Sequence, residues 1–376
     1  MSWVREINEI EGLAAYDDVG RRLLAVTPGA NFHQSLDWLR VFWRHYGRDQ
    51  RLRVLLVGSG EEVTGMVPLV IQREATRVGA VRLLTYPLSE WGSFYGPLGA
   101  DAHATLCCAM QHIAQTPREW DLLDLRCVDD VRDAGATAAA MRDAGFQTHR
   151  QAWARAGLIR FSGGWSDYWA SRTSRWRNNV RRCEKNLAAG ATVNYTNYRP
   201  GGKAVGETDP RWDLYDKCEQ VAGNSWQGQS TNGTTLSHES IRPFLRDAHL
   251  AAVDAGALDL HLLELDGRPA AFAYNYHLHG WVSGLRIGYD PSVSNGGAGT
   301  VLMRRAIAAS CGHGDHTYDF GVNDLECKRY WLTDVVERAR YGHFPLGSPR
   351  GQLLRLKRVL KEWLPSRDDP SAKSGK

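Results

Sequence analysis

The chain has 376 residues, of which 43% are hydrophobic and 23% charged, and its formal net charge is +4. This is the composition of a globular protein with more residues than one core usually needs, so we expect two domains. The small net charge argues against DNA as a partner. Seven scattered cysteines argue against structural zinc and against a disulfide framework. The sequence shows neither an apolar signal core nor a stretch long enough to span a bilayer, so we expect a cytoplasmic protein.

The first half of the chain reads as three strands, a helix, a strand and a second helix. The first two strands are joined by a Gly-Ser-Gly turn, which is typical of a hairpin. The strands are predicted at 52–57, 63–71, 81–87 and 121–127, and the helices at 102–114 and 131–144.

The second half repeats this order of elements. Its strands are predicted at 258–265, 269–277, 281–289, 317–320 and 335–343, and its helices at 298–311 and 325–331. Between the halves, helices are predicted within 166–189, at 213–222 and at 237–255, and a basic amphipathic helix is predicted at 352–363. The repeated order indicates an internal duplication and an α/β fold.

A glycine-rich loop joins the strand that ends at Tyr289 to the following helix. It contains Asn295, Gly296, Gly297 and Gly299. Glycines let a backbone approach a ligand closely, and the first N–H groups of a helix point out of its positively polarised end. The pattern favours a phosphate or pyrophosphate site, although a plain turn has the same composition. It matches neither a P-loop nor a dinucleotide-binding fingerprint.

The next strand ends in Asp-Phe-Gly, with the aspartate at position 319. This triplet also occurs in kinases, but the catalytic-loop motif that should precede it is missing. Asp319 is the leading candidate for an acid, a base or an acceptor-orienting group, and loop capping is its structural alternative. Glu326 and Lys328 follow as further catalytic candidates, or else as a simple surface pair.

Together these segments resemble the BioF2-like acetyltransferase family, also called CelD/BcsL-like, of the GNAT superfamily. The resemblance rests on Gly-Tyr-Asp-Pro at 288–291, the glycine-rich loop, Asp-Phe-Gly, and Lys328 ahead of Tyr330 and Trp331. The sequence departs from the family pattern at Asn323, where a second glycine is usual, and at Cys327, where a tyrosine is usual.

The resemblance extends upstream of these motifs. The basic stretch 175–182 is similar to the arginine-rich helix that opens the family's domain, and Trp226-Gln227-Gly228 is similar to its Trp-Lys-Gly loop. The match covers about 165–344, and the two similar halves of the chain also resemble FemAB-type transferases.

The resemblance implies two GNAT-like domains, each a mixed, mostly antiparallel sheet flanked by helices. A degenerate N-terminal domain is expected at 1–157 and the acyltransferase domain at 158–346, with a basic helix and polar tail at 347–376. In the first half, Asp124 occupies the place of Asp319. The first half is expected to shape the acceptor cleft, which the aromatic residues Tyr86, Trp91, Phe94 and Tyr95 either line or merely pack around.

The resemblance also implies acetyl-CoA or another acyl-CoA as co-substrate, and no metal. The pantetheine arm would pair with the strand that precedes the loop, and the pyrophosphate would bind the loop N–H groups. The implied catalytic residues are Asp319, Glu326 and Lys328. The implied cofactor contacts are Leu285, Ile287, Tyr289, Asn295, Gly296, Gly297, Ala298, Gly299 and Thr300. The implied substrate contacts are Trp226, Arg175 and Tyr330, although Trp226 also reads as a core residue.

The resulting hypothesis is transfer of an acyl group, expected to be acetyl, from acyl-CoA to an amine or hydroxyl. The expected acceptor is a small molecule or a sugar, polysaccharide or cell-envelope precursor. One alternative is a FemAB-like transferase that uses aminoacyl-tRNA, for which the basic runs at 172–185 and 350–361 would be the evidence. The other is a non-catalytic binding protein that has kept the fold. The sequence leaves acceptor identity, acyl-chain length and oligomeric state open.

Overall fold

A single mixed sheet of twelve strands runs through the whole molecule in the computed structural model. The structure describes residues 2–76, 79–87, 91–92, 95–225, 228, 235–294, 296–322 and 325–363. The strands are β1 (Ser2–Ile7), β2 (Arg51–Ser59), β3 (Glu62–Thr76), β4 (Gly79–Thr85), β5 (Leu122–Asp129), β6 (His149–Arg160), β7 (Val193–Tyr198), β8 (Leu258–Leu265), β9 (Arg268–Leu278), β10 (Trp281–Tyr289), β11 (Thr317–Val322) and β12 (Asp334–His343).

Helices cover both faces of this sheet. They are α1 (Asp17–Val26), α2 (Leu36–Tyr46), α3 (Ala102–Gln115), α4 (Asp130–Asp133), α5 (Ala136–Asp143), α6 (Trp165–Ser171), α7 (Ser174–Gly190), α8 (Trp212–Asn224), α9 (Arg242–Asp254), α10 (Ala298–Gly312), α11 (Leu325–Lys328) and α12 (Pro349–Trp363). In the described ranges, no helix combines the length and the apolar character needed to cross a membrane.

The order of the strands shows that the two halves exchange their last strands. The order is β1-β2-β3-β4-β5-β12-β6-β11-β10-β9-β8-β7. Thus β12, from the second half, pairs with β5 of the first, and β6, from the first half, pairs with β11 of the second. The two exchanged strands also pair with each other in the middle of the sheet, from Asp334↔Leu158 to Gly342↔His149. The two halves therefore repeat the same order of elements, but their strands form one shared sheet.

The hydrophobic core is also shared between the halves. Along β8, residues alternate between the two faces of the sheet, as the geometry of a strand requires. Leu258, Leu260 and Leu262 belong to a large cluster that includes α8, α9 and the helices and strands of the first half. Leu263 and Leu265 belong to a second cluster with α7 and α10 on the other face. One face of the second half is thus buried against the first half.

The structure confirms the predicted α/β class with two similar halves and corrects several local boundaries. The helix predicted at 131–144 is interrupted by Ala134 and Gly135, whose φ angles of 47° and 84° end α4 before α5 begins. The helix predicted at 237–255 begins only at Arg242, with a proline in its first turn. The strands β1, β6 and β7 lie outside all predicted elements. The division at 157 falls inside β6 and stays a prediction.

Candidate active site

Strands β10 and β11 form a fork in the second half of the sheet. They pair in parallel over only three positions, from Trp281↔Thr317 to Ser283↔Asp319. Beyond Ser283, the pairing of β10 with β9 jumps from Gly284 to Arg286, so that Leu285 is an extra, bulged residue. The pairing of β11 with β6 also shifts after Asp319. Beyond this point β10 and β11 are no longer paired with each other.

Two glycines form the apex of the fork because side chains do not fit there. A Cβ atom at Gly284 would lie 2.9 Å from the Asp319 carbonyl oxygen. A Cβ atom at Gly321 would lie 3.2 Å from the Gly284 carbonyl oxygen, and the φ angle of Gly321 is +74°. Glycine adopts this conformation without steric cost. The glycine of the Asp-Phe-Gly motif is therefore explained by the close approach of two backbones.

The glycine-rich loop leads directly into the N-terminus of α10, at the open end of the fork. Gly296 and Gly297 have φ angles of 113° and 93°, and Gly297 caps the helix. The first N–H groups of α10, which include those of Ala298, Gly299 and Thr300, have no acceptor one turn earlier in the helix. This end of the helix carries about half a positive charge and suits an anion.

Neighbouring polar groups hold the loop in place. Asp290 accepts hydrogen bonds from the Ser292 N–H (2.8 Å) and from the side-chain amide of Asn224 at the end of α8 (2.7 Å). The Ser294 hydroxyl accepts from the Gly296 N–H at 3.3 Å. Helix α7 approaches from the other side, where a Cβ at Gly297 would lie 3.0 Å from the Cys183 Cβ. These contacts hold the loop between the end of α8 and helix α7.

The residues predicted to contact the cofactor lie along this fork and loop. Leu285 is the bulged residue, Ile287 packs against the core beneath α10, and Tyr289 is exposed at the strand end. The Tyr289 ring approaches Gly299, where a Cβ would lie 3.5 Å from it. Asn295 lies outside the described residues. The structure therefore brings the described cofactor candidates together at the end of β10 and the start of α10.

Asp319 is buried at the apex of the fork with both carboxylate oxygens engaged. Oδ1 accepts from the Gly321 N–H at 2.8 Å, and Oδ2 accepts from the Arg338 guanidinium at 3.0 Å. Arg338 is fully buried on β12 and also forms an ion pair with Asp129 at the start of α4. Asp129 in turn caps α4 by accepting from the Val131 N–H. This chain of contacts joins the fork to the first half.

The first half contains the matching aspartate at the corresponding strand position. Asp124 is buried on β5 and binds Arg340 of β12 together with Arg126. Burial opposes ionisation, but Arg340, Arg126 and Arg358 outweigh it and hold the pKa of the Asp124 carboxyl below its usual range. Strand β12 therefore supplies arginines to both aspartates, Arg338 to one and Arg340 to the other.

The remaining predicted residues lie around α11 and the start of α7. Glu326 is exposed and pairs with Arg329, whereas Lys328 donates from Nζ to the Phe320 carbonyl oxygen at 3.0 Å. Tyr330 stacks on Trp176, with ring centroids 4.7 Å apart. Arg175 is exposed in the first turn of α7, beside Trp176. The structure thus places Lys328 beside β11, at the wall of the fork. Among the described residues, Glu326 pairs with Arg329 and not with Lys328. Trp226 lies outside the described residues.

A buried polar cluster lies between the halves. The sequence pointed to two of its members, Tyr86 and Tyr95, as candidates for the acceptor cleft, but not to the other members. His33 lies between Trp38 and Tyr276, with ring centroids 5.5 and 5.3 Å away. Tyr276 is the partner of Ser283 across β9 and β10, so both side chains lie on the face that meets the first half. In the described part of the chain, buried atoms of this cluster lack hydrogen-bond partners of good geometry. They are Asn31 Nδ2, both ring nitrogens of His33, Thr85 Oγ1, Tyr86 Oη, Tyr95 Oη and Ser283 Oγ.

We call this set the junction cluster: Asn31, His33, Thr85, Tyr86, Tyr95 and Ser283. Burial lowers the pKa of His33 to about 4, and the nearby Trp91 backbone opposes this only in part, so the imidazole is neutral at pH 7. The Arg286 guanidinium stacks over the Trp91 ring at 3.9 Å and links the bulged strand to the first half. The run Asn-Phe-His-Gln-Ser at 31–35, polar residues around one aromatic before a helix, was the available sequence signal.

One group of side chains in the described residues has the composition of a metal site. His103 and Cys107 on α3 and Asp143 on α5 place their potential ligand atoms within 4.8 Å of one another. His103 and Cys107 are one helical turn apart, and Cys107 makes contacts with both other residues. The group lies near the surface, on helices of the first half and away from the fork. The expectation of a reaction without metal stays a prediction.

A protein-family model matches the part of the chain that contains the fork. Residues 174–329 match the family model described as acetyltransferase (GNAT) domain. This span contains α7, the fork, the glycine-rich loop and α11. The second half of the chain therefore resembles a GNAT-type acetyltransferase domain, and the class of protein that the chain resembles is a transferase. No curated protein matches the chain.

Solved structures resemble the chain over nearly its whole length. A crystal structure of FemX is 12% identical, covers 94% of this chain and 99% of its own, and has a TM-score of 0.62. The C-terminal domain of a putative lysylphosphatidylglycerol synthetase from Agrobacterium fabrum is 11% identical, with coverages of 92% and 96% and a TM-score of 0.54. A conserved protein of unknown function from Bacteroides thetaiotaomicron is 13% identical, with coverages of 91% and 100% and a TM-score of 0.53. These likenesses show that the fold extends over both halves.

Proposed function

We propose that the protein transfers an acyl group, acetyl in the simplest case, from acyl-CoA to an amine or hydroxyl acceptor. The observation that carries this proposal is the fork between β10 and β11, with the N-terminus of α10 at its open end. Acyl-CoA carries its thioester on an extended pantetheine arm, which is followed by a pyrophosphate. It therefore needs an unpaired strand edge for the arm and, next to it, an anion site for the pyrophosphate. The match of the second half to a GNAT acetyltransferase domain supports the same donor. We further propose a BioF2-like member of that superfamily that acts in the cytoplasm.

The acyl donor binds along the free edge of β10. Its pantetheine amides pair with backbone groups between Leu285 and Tyr289, as an added strand would. Its pyrophosphate accepts hydrogen bonds from N–H groups between Gly296 and Thr300. Basic residues on the neighbouring helix α7, such as Arg182, add positive charge at this rim.

The thioester carbonyl lies at the bulge, close to the apex of the fork. Backbone N–H groups released from sheet pairing there stabilise the oxyanion that forms when the acceptor attacks. The acceptor nitrogen or oxygen forms a bond to the acyl carbon, its proton passes to a base or to water, and CoA leaves as the thiol. Asp319 is a positioning residue in this scheme, because its two oxygens already bind Gly321 and Arg338.

The acceptor occupies the junction cluster, on the face of the sheet toward the first half. Ser283 and Asp319 are register partners at the apex, so this face lies next to the proposed thioester. Buried hydroxyl and amide groups without partners suit a ligand with several hydroxyl groups, and the surrounding aromatic rings suit the apolar faces of a sugar. The neutral His33 is available to accept the acceptor's proton.

Calorimetry with acetyl-CoA tests the donor site. Gly299→Glu adds a carboxylate at the proposed pyrophosphate site, where its Cβ would make only ordinary contacts. Gly312→Glu is the matched control, because Gly312 is the last residue of α10, at its opposite end, and has no atom within 4 Å of its Cβ position. We expect binding by the wild type and by Gly312→Glu, and its loss in Gly299→Glu. Absence of binding of acetyl-CoA and longer acyl-CoAs by the folded wild type would refute the proposal.

Aminoacyl transfer from charged tRNA is the second candidate. It is favoured by the basic surface of α7, which presents Arg175, Arg181, Arg182 and Lys185. The likeness to FemX is one of fold alone and does not distinguish the two candidates. Filter binding with charged and uncharged tRNA distinguishes it from the first proposal. Selective binding of charged tRNA together with no acyl-CoA binding would favour this candidate, and a folded protein that binds neither would be a non-catalytic member of the fold.

A further inference from the structure

Helix α12 presents an apolar face to solvent. Leu353, Leu356 and Leu360 follow the spacing of one helical face, and they are 53%, 57% and 51% exposed. In contrast, Leu354 is buried against β4 and β5 in a small cluster with Phe344. The helix is thus anchored to the sheet on one side and leaves a leucine ridge uncovered on the other. Leu346, just before the helix, is 86% exposed and extends the apolar surface.

Basic residues flank the leucine ridge. The segment 344–361 contains five arginines and lysines and no acidic residue. Arg350 and Lys357 are exposed, and Arg355 is partly exposed. Arg358 points inward, toward Asp124 and the Phe344 ring. Arg118 adds a further cation near Leu346, where it donates to the Gly347 carbonyl oxygen at 3.1 Å.

We propose that α12 attaches the protein to an anionic lipid surface. A helix that carries a leucine ridge between basic side chains lies in the plane of a membrane, with its leucines among the acyl chains and its cations at the lipid phosphates. The helix has fifteen residues and remains packed on the sheet, so it lies on the surface. The whole protein is held there with α12 as its contact.

The charges favour a lipid surface over a second copy of the chain. Two copies packed through the leucine ridge would bring Arg350, Arg355 and Lys357 of each close to those of the other, and the like charges would repel. The sequence after position 365 is polar, with Ala372 its one aliphatic residue apart from glycine and proline, so it supplies no side chains to cover the ridge. An anionic lipid surface provides acyl chains for the leucine ridge and negative headgroups for the basic residues.

Co-sedimentation with vesicles tests this proposal on the full chain. We compare phosphatidylcholine vesicles with vesicles that also contain phosphatidylglycerol. The wild type is expected to sediment with the anionic vesicles and to be released by salt. Leu356→Ser with Leu360→Ser is expected to abolish binding, whereas Leu250→Ser, at an exposed leucine of α9, is expected to leave it unchanged.

A second pair of variants tests the charges. Arg355→Gln with Lys357→Gln is expected to weaken binding to anionic vesicles by on the order of fivefold for each residue. Arg21→Gln with Arg44→Gln, at two exposed arginines of the first half, is the matched control. Thermal melting and acetyl-CoA calorimetry on the same samples report folding and the donor site independently of the lipid.

Two outcomes overturn the proposal. Equal sedimentation of the wild type with neutral and anionic vesicles removes the role of charge. A concentration-dependent dimer in sedimentation velocity that Leu356→Ser dissociates, without vesicle binding by the wild type, shows that the leucine ridge joins two copies of the chain.

Discussion

Arg338 and Asp319 form a buried ion pair between the exchanged strand β12 and the apex of the fork. The guanidinium nitrogen lies 3.0 Å from the carboxylate oxygen, and Arg338 is 0% exposed. Arg338 also pairs with Asp129 of the first half. One side chain thus ties the proposed donor site to the opposite half of the molecule.

Replacing Arg338 by methionine should destabilise the protein strongly. The Asp319 carboxylate would remain buried without its cation, while Asp129 would keep Arg132, and breaking a buried pair in this way costs about 3–5 kcal/mol. Urea denaturation measures the change in free energy of unfolding. Arg329→Met removes an exposed pair with Glu326 and should change it by less than about 1 kcal/mol. Equal effects of the two substitutions would contradict a structural role for Arg338.

Gly321→Ala should reduce acetyl-CoA affinity, whereas Gly267→Ala should not. Both glycines have positive φ angles, +74° and +76°, so alanine costs about 1–2 kcal/mol of backbone strain at either position. Only at Gly321 would the new Cβ lie near another backbone, 3.2 Å from the Gly284 carbonyl oxygen. Calorimetry with acetyl-CoA separates the two effects. A similar loss of affinity in both variants would attribute it to general destabilisation.

His33→Gln should leave acetyl-CoA binding intact and lower the rate of acyl transfer. The side chain lies in the junction cluster, on the acceptor side of the sheet, and not along the strand edge that the donor occupies. A thiol assay for released CoA, run over a panel of amino sugars and polyols, measures the rate. The effect should appear as a lower kcat, with a higher KM for the acceptor as well if His33 also binds the acceptor. Loss of acetyl-CoA binding itself would place His33 in the donor site.

Acidification should destabilise the protein through its buried histidines. Burial lowers the pKa values of His33, His249 and His277 from 6.5 to about 4. Between these values the unfolded chain binds more protons than the folded chain, so the free energy of unfolding falls as pH falls from 6.5 toward 4. At about 1.4 kcal/mol per pKa unit, one such histidine contributes about 3 kcal/mol over this range.

Urea denaturation at pH 7 and pH 5 checks this expectation. The wild type should lose more stability between these values than His33→Gln, because the variant lacks one of the three groups. An identical pH dependence in both proteins would show that His33 titrates normally in the folded state.

Much of the second half was predictable from local sequence. The strands and helix between positions 258 and 320 were predicted within about two residues, because the Asp266-Gly267 turn and the alternating apolar residues are local signals. The glycine-rich loop and the Asp-Phe-Gly motif were likewise found where the structure places the loop and fork. The requirement for glycine at 321 comes from Gly284 on another strand, and no local pattern contains that distance.

The rest depended on contacts between distant parts of the chain. Strand β6 has a largely exposed first half, so it lacks the apolar alternation of the other strands. Its place beside β11 is set by pairing across the molecule. His33 and Ser283 belong to different halves and meet through Tyr276. Asp319 was identified from sequence, but its partner Arg338 follows only from the exchange of strands.

The exchange of β6 and β12 also governs when the protein becomes complete during synthesis. After the ribosome has made the first 160 residues, β5 still lacks its neighbour β12, and β6 lacks both of its neighbours. An unpaired strand edge of this kind is open to association with other chains. It closes only after residues 334–343 have emerged. The nascent chain therefore has an open edge at the centre of the future sheet from the end of β6 until β12 emerges, and this interval is where protection by a chaperone has the greatest effect.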